Sequence, residues 1–251
     1  MNKIDYFVTI VFSLVIILAG LAFRKRGADM SSYFAAGGAV PWPISGLSLF
    51  MSFFSAGTFV VWGSIAYELG WVSITIQLTM CISGFLVAYF IAPAWKKTNS
   101  LTAAEFVRNR LGDGVQKFFT YLILMLSLAY SGAFLYPVAK IINVSTGFSI
   151  NACIIVLGVL IVLYTVVGGL WAVIITDVLQ FVILSASVFI VVFLSLREVG
   201  GFQQFAENVP DGFFDWTNSE YTWWFIVGMG IFNTIFIGGN WAYVQRYTSV
   251  K

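Results

Sequence analysis

Residues 41–67 read PWPISGLSLFMSFFSAGTFVVWGSIAY, a stretch of 27 residues without one charged side chain. About 20 apolar residues cross the ~30 Å hydrocarbon core of a bilayer, so the length suits a membrane span. Its polarity does not suit a helix facing lipid. Ser45, Ser48, Ser52, Ser55 and Thr58 follow at steps of three and four, which at 3.6 residues per turn is one hydroxyl stripe down one face. The centre, Ser52 to Thr58, contains Gly57, a poor helix former, and hydroxyls that can cover freed backbone groups. A break is therefore expected there. A stripe of small residues also lets helices pack closely, so this stretch alone leaves a packing role and a binding role equally open.

Composition sets the class. Sixty per cent of the 251 residues are hydrophobic and ten per cent are charged, against about 25% charged in soluble domains. This is an integral membrane protein; its net charge of +2 hides an asymmetry between segments, and no nucleic-acid partner is expected. Cys81 and Cys153 both fall in apolar runs and are expected as buried thiols. The chain has no histidine, which removes Ser–His and Cys–His nucleophile pairs and histidine metal sites.

Seven apolar runs are candidate spans: 6–23, 44–63, 71–95, 118–138, 152–167, 170–196 and 223–244. All are too long and too uniformly apolar for strands of a membrane barrel. The first leads into Arg24-Lys25-Arg26 rather than a small-residue cleavage site, so it reads as a retained helix. Between the third and fourth runs, Thr102-Ala103-Ala104-Glu105 is a capping-box pattern opening a short amphipathic helix that Gly112 would stop. With the N-terminus outside, the inner segments hold Arg24, Lys25, Arg26, Lys96, Lys97, Arg108, Arg110, Lys117, Arg246 and Lys251, and the outer ones only Lys3, Lys140 and Arg197. Ten cations against three predict a multi-pass protein of the cell membrane with its N-terminus outside and Lys251 cytoplasmic. The acidic stretch 197–221 then lies outside.

Polar groups within the runs mark candidate sites. Asp177 sits seven residues into WAVIITDVLQ, about 10 Å deep. An acid at that depth faces a cavity or a partner, with Thr176, Gln180 or a neighbouring helix as the structural alternatives. Ser73, Gln77 and Gly84 share a face of the third run. Asn233 and Asn240 flank Gly238-Gly239 in the seventh, where a glycine pair weakens the helix. Counting from the second run, the seventh is the first of a second set of five. Interrupted helices at corresponding positions of two repeats point to a transporter binding site at the midplane.

The chain resembles the sodium:solute symporters. The most specific match is Tyr164 to Gln180, YTVVGGLWAVIITDVLQ, supported by SSYFAAGG at 31–38, SLFMSFFSAGTFVVWGSIAYELG at 48–70 and VQR at 244–246. The resemblance implies an all-α membrane protein of about seven spans with a leucine-transporter-like inverted-repeat fold. It would form one membrane domain: a leading helix and cytoplasmic loop (1–40), a complete first repeat (41–197), an external loop (198–220), and the first helix of a truncated second repeat (221–251). It also implies Na+ as coupling ion, held through the backbone carbonyls of Met51 and Phe54, with Asp177 on the ion path. Substrate contacts would fall on Thr58, Gln77, Met80, Asn233 and Phe236, with Ser55 beside them. Sugar carriers of the family have a glutamate where this chain has Gln77, and a tyrosine-tryptophan pair where it has Phe236-Ile237. Asn233 matches them.

The expected function is sodium-coupled symport of a small organic solute (sugar, amino acid or organic acid) by alternating access, in a lipid bilayer and not as an enzyme. Further C-terminal helices are expected to be required, which makes these 251 residues inactive alone. The competing reading is a channel or pore subunit, although no charged ring or repeated filter motif is visible.

Overall fold

The computed structural model describes residues 3–22, 29–55 and 58–251. Gly57 and the 24–26 basic run therefore lie outside the described residues. Among the described residues, eleven α-helices are named in chain order: α1 (Lys3–Ala22), α2 (Met30–Ala35), α3 (Trp42–Met51), α4 (Gly63–Leu69), α5 (Val72–Leu86), α6 (Ala92–Thr98), α7 (Ala103–Thr146), α8 (Ile150–Val199), α9 (Phe202–Asn208), α10 (Trp223–Gly239) and α11 (Trp241–Ser249). No strand occurs among the described residues, only one isolated parallel bridge between Val40 and Val250.

Three helical stretches are long and apolar enough to cross a membrane: Val72–Thr98, Ala103–Thr146 and Gly168–Val199. The pair α10 and α11, bent by 61°, makes a fourth. The count of seven expected from hydropathy is not reached by this measure, because the apolar stretches at Ile10–Ala19, Trp42–Met51 and Ile150–Leu163 are short. The reason is backbone geometry. The second run stops being helical after Met51, and a π-helical turn, Thr58–Trp62, leads into α4. The fifth and sixth runs share α8 but part at Gly169.

Gly169 has φ 57° and ψ −157°, and a Cβ there would lie 3.0 Å from the Tyr33 carbonyl oxygen. Only glycine lets the chain turn that close to α2. Gly112, at φ 85°, ends the short helix that opens α7 as expected. Thr102 caps that helix at the Glu105 N–H, and the Glu105 carboxylate reaches back to the Leu101 N–H, one residue earlier than a standard capping box.

α8 is the central post, with α1, α2, α3 and α7 packed along it, while α5 pairs with α10. Two small apolar clusters fix these contacts. Ala36, Val40, Leu170 and Ile174 join the segment before α3 to α8. Val72, Ile76 and Ile226 join α5 to α10. At the same end as the second cluster, the Trp71 N–H donates to the Phe213 carbonyl at 2.8 Å, so the loop before α10 is fastened to the α4–α5 turn. Gly70 permits this, since a Cβ there would collide with that carbonyl oxygen. At the opposite end the Val40 N–H donates to Ser249 and the Lys251 N–H to Val40, at 3.0 and 3.1 Å. Cys153 is buried, but Cys81 lies exposed on α5, against the expectation of two buried thiols.

Candidate functional site

Of the hydroxyl stripe of the second run, Ser45 and Ser48 point at α11 and α8, while Ser52 donates to the Ser48 carbonyl of its own helix and Thr58 bonds within the break. Ser48 Oγ donates to Asp177 Oδ2 at 2.5 Å, and Ser45 Oγ to the Arg246 carbonyl at 2.9 Å. Arg246 completes the cluster. Its Nη2 lies 3.5 Å from Asp177 Oδ2, its Nε donates to Ser48 Oγ at 3.4 Å, and its Nη1 donates to the Ala242 carbonyl at 2.6 Å. The Arg246 and Asp177 side chains keep only 10% and 15% of their surface exposed. A buried acid within a membrane span needs such partners, since each alone would carry an uncompensated charge. Thr176, an alternative partner on sequence grounds, turns instead to the Ala172 and Val173 carbonyls of its own helix.

One turn further along both helices the contact opens into a cavity of about 340 Å³ lined by Met51, Phe54 and Ser55 at the break, Gln180 and Ser187 of α8, and Phe12 of α1. Three of the expected site residues therefore meet at one place. Asp177 lies a turn away from it, held by Ser48 and Arg246. The rest of the lining is mainly apolar, with Phe59, Ile183 and Leu184, and the Met51 carbonyl accepts the Phe54 N–H at 3.1 Å, so the oxygen donors of the kind that suits a hard cation are few: the Ser55 and Ser187 hydroxyls and the Gln180 amide. The break is bridged by Thr58, whose Oγ1 accepts from the Ser55 N–H at 3.0 Å and donates to the Phe53 carbonyl at 3.2 Å.

The other expected contacts sit on the α5–α10 pair. Asn233 is buried and donates to Thr79 Oγ1 at 2.9 Å. Gln77 and Met80, on the same stretch of α5, are half-buried. Phe236 stacks on Phe232 and meets the edge of Tyr243, each at 5.7 Å. Tyr243 in turn stacks on Phe53 at 4.5 Å, so the break in the second run and the bend in the seventh touch through aromatic rings. Asn240 is not a partner of Asn233. Its side chain caps α11 by accepting from the Ala242 N–H.

Sequence reasoning missed Arg246 as a site residue, counting it only among the inner cations. The signal available was the need of Asp177 for a partner, together with a cation leaving the seventh run without an intervening loop.

The chain matches the Sodium:solute symporter family over residues 33–211. It is 29% identical to the human sodium/iodide cotransporter over 96% of this chain and 40% of that protein. With human sodium-coupled monocarboxylate transporter 1 it shares 30% identity, over 92% of this chain and 39% of the relative. It is 26% identical to the sodium/sialic acid symporter SiaT of Proteus mirabilis, over 98% of this chain and 49% of that one. The chain thus spans about half the length, or less, of these relatives. A solved structure of a Na+-coupled sialic acid symporter, described as substrate-bound and outward-open, superposes with a TM-score of 0.80 at 23% identity over the whole chain and 55% of its own length. That likeness is one of fold.

Proposed function

Because the chain belongs to the sodium:solute symporter family, we propose that it forms the first repeat and the start of the second in a leucine-transporter-like carrier that takes up a small organic solute with Na+ by alternating access. The observation that carries this reading is the broken second run. Its break opens on a cavity lined by Met51, Phe54 and Ser55, with the Asp177–Arg246 pair one turn away. Bound sodium supplies the driving force: one cation moving through 100 mV gains ~2.3 kcal/mol, enough for roughly 40-fold solute accumulation.

The protein's part is positional. Met51 and Phe54 would present carbonyls at the break, and Ser55 would add a hydroxyl. Asp177 would attract the ion along its path and exchange it against Arg246. Thr58, Gln77, Met80, Asn233 and Phe236 would line the solute side. With Lys251 cytoplasmic, the Val40–Val250 bridge and the Asp177–Arg246 pair close the inner end, and both must part for release inward. Gln77 and Phe236-Ile237 depart from the sugar carriers, so a sugar is the less favoured solute.

The test is the unfolding temperature of the purified chain in sodium chloride against matched potassium and choline chlorides. Ligand at 100 times its Kd stabilises the folded state by about 2.7 kcal/mol. A sodium-specific rise that disappears in Asp177→Asn is the expected result. Equal stability in all three salts, for this chain and for one extended to the length of its relatives, would remove the sodium site.

A further inference from the structure

The bend between α10 and α11 releases carbonyls at the end of α10, and at membrane depth these need protein donors. Two of them have one. Ile237 O accepts from the Tyr247 hydroxyl at 3.0 Å, and Gly238 O accepts from the Trp95 indole N–H at 2.7 Å. The two donors differ in origin. Tyr247 belongs to α11 and travels with it, whereas Trp95 belongs to α6.

The path to α6 is prepared by local structure. Before α6 the chain makes a π-helical turn, Val87–Ile91, which adds a residue to one turn and re-aims the helix beyond it. Val87 and Ile91 then lie against Gly238, where a Cβ would come within 2.6 Å of Ile91 Cδ1. The Trp95 ring is itself held, 4.6 Å from Phe106 and edge-on to Trp241 at 5.9 Å.

We propose that Trp95 is a positioning residue: its N–H holds the Gly238 carbonyl at the end of α10 while its ring meets Trp241 at the start of α11, so it spans the bend, sets the tilt of α11 and with it the reach of Arg246 to Asp177. Arg246 lies six residues past the bend, about 9 Å along the helix axis. A tilt of about 10° there would carry it about 1.5 Å. Its bonds to Asp177 and Ser48 are already 3.5 and 3.4 Å long, so a displacement of that size ends them. The inference rests on the transport reading only for its purpose, since the geometry it concerns can be measured without a solute.

The experiment places spin labels at Val227 and Lys251, on the two sides of the bend, in the full chain with Cys81→Ser and Cys153→Ser. Double electron–electron resonance then reads the distance. Trp95→Phe keeps a ring beside Phe106 and Trp241 but has no donor. The expected result is a broadened distribution with its mean displaced, and a sodium concentration for half-maximal stabilisation raised about fivefold. Trp95→His, which retains a ring N–H, should stay nearer the unsubstituted distribution. Lys96→Met removes the neighbouring bond from Lys96 Nζ to the Val250 carbonyl (2.9 Å) and should leave the mean in place. An unchanged distribution in Trp95→Phe overturns the proposal, and so does an equal displacement in Lys96→Met. A displaced distribution in a chain that sodium never stabilises upholds Trp95 and removes the transport reading instead.

Discussion

The break after Met51 and the bend at Asn240 arise from the same kind of sequence, a glycine among apolar and small polar residues, yet they are closed in opposite ways. At the bend, bulky donors from two helices take the freed carbonyls, an indole on Gly238 and a phenol on Ile237. At the break, the partners among the described residues are local: the Thr58 hydroxyl bridges Ser55 and Phe53, the Phe54 N–H donates to the Met51 carbonyl and the Thr58 N–H to the Ser55 carbonyl, and the residues beside them line a cavity. One interruption is fixed by its surroundings, and the other keeps its backbone near open space. The proposed ion site is placed at the second kind, because a carbonyl already holding an aromatic donor has less to offer a cation.

Substitutions can test this contrast at three points. The largest effect is expected where the two interruptions are joined. Asp177→Ala leaves Arg246 buried without its counter-ion and should destabilise by about 3 kcal/mol, read as a fall in unfolding temperature in detergent; partial recovery in Asp177→Asn with Arg246→Gln would locate the loss in the stranded charge. Next come the neighbouring glycines of the bend. A side chain at Gly238 meets Ile91 and Val87, whereas Gly239 has open space. Gly238→Val should cost about 2 kcal/mol by overpacking, while Gly239→Ala should gain about 0.5 kcal/mol through the unfolded chain; equal losses at both positions in a denaturation series would sink the picture of a bend fixed on one side. The smallest effect is expected at the break, where Thr58→Val removes two weak hydrogen bonds at about 1 kcal/mol. Hydrogen exchange of the Ser55 amide should rise, and Thr58→Ser should restore its protection.

The helices and their polar faces were legible in the sequence because both are local. The serine spacing showed one face, and its first two members, Ser45 and Ser48, meet α11 and α8, whereas the later ones fall at or beyond the end of α3. Asp177 declared itself by depth alone. What was not legible is which groups answer each other. Arg246 lies 69 residues from Asp177, and hydropathy places it at the edge of a run, where a cation needs no special explanation. Asn233 stood out as a polar group within the seventh run, but its partner Thr79 is 154 residues away and its pairing comes from how α5 meets α10. The glycine pair correctly marked an interruption, yet the turn falls one residue later, at Asn240, because asparagine can cap the next helix. Exposure also misled for Cys81: an apolar run says that a residue is in the membrane, not whether protein or lipid covers it.

The bond between Val40 and the Ser249–Lys251 segment has a consequence for how the protein is made. Its halves are separated by more than 200 positions, and the chain emerges from the ribosome at about 5–20 residues per second. For ten seconds or more, on this order of rates, Ser45 and Ser48 are already inserted while Arg246 has not been synthesised, and Asp177 joins them before its cation exists. The nascent protein must therefore hold a membrane acid without its counter-ion, either protonated or sheltered by the insertion machinery, until α11 arrives and clips shut against the segment before α3.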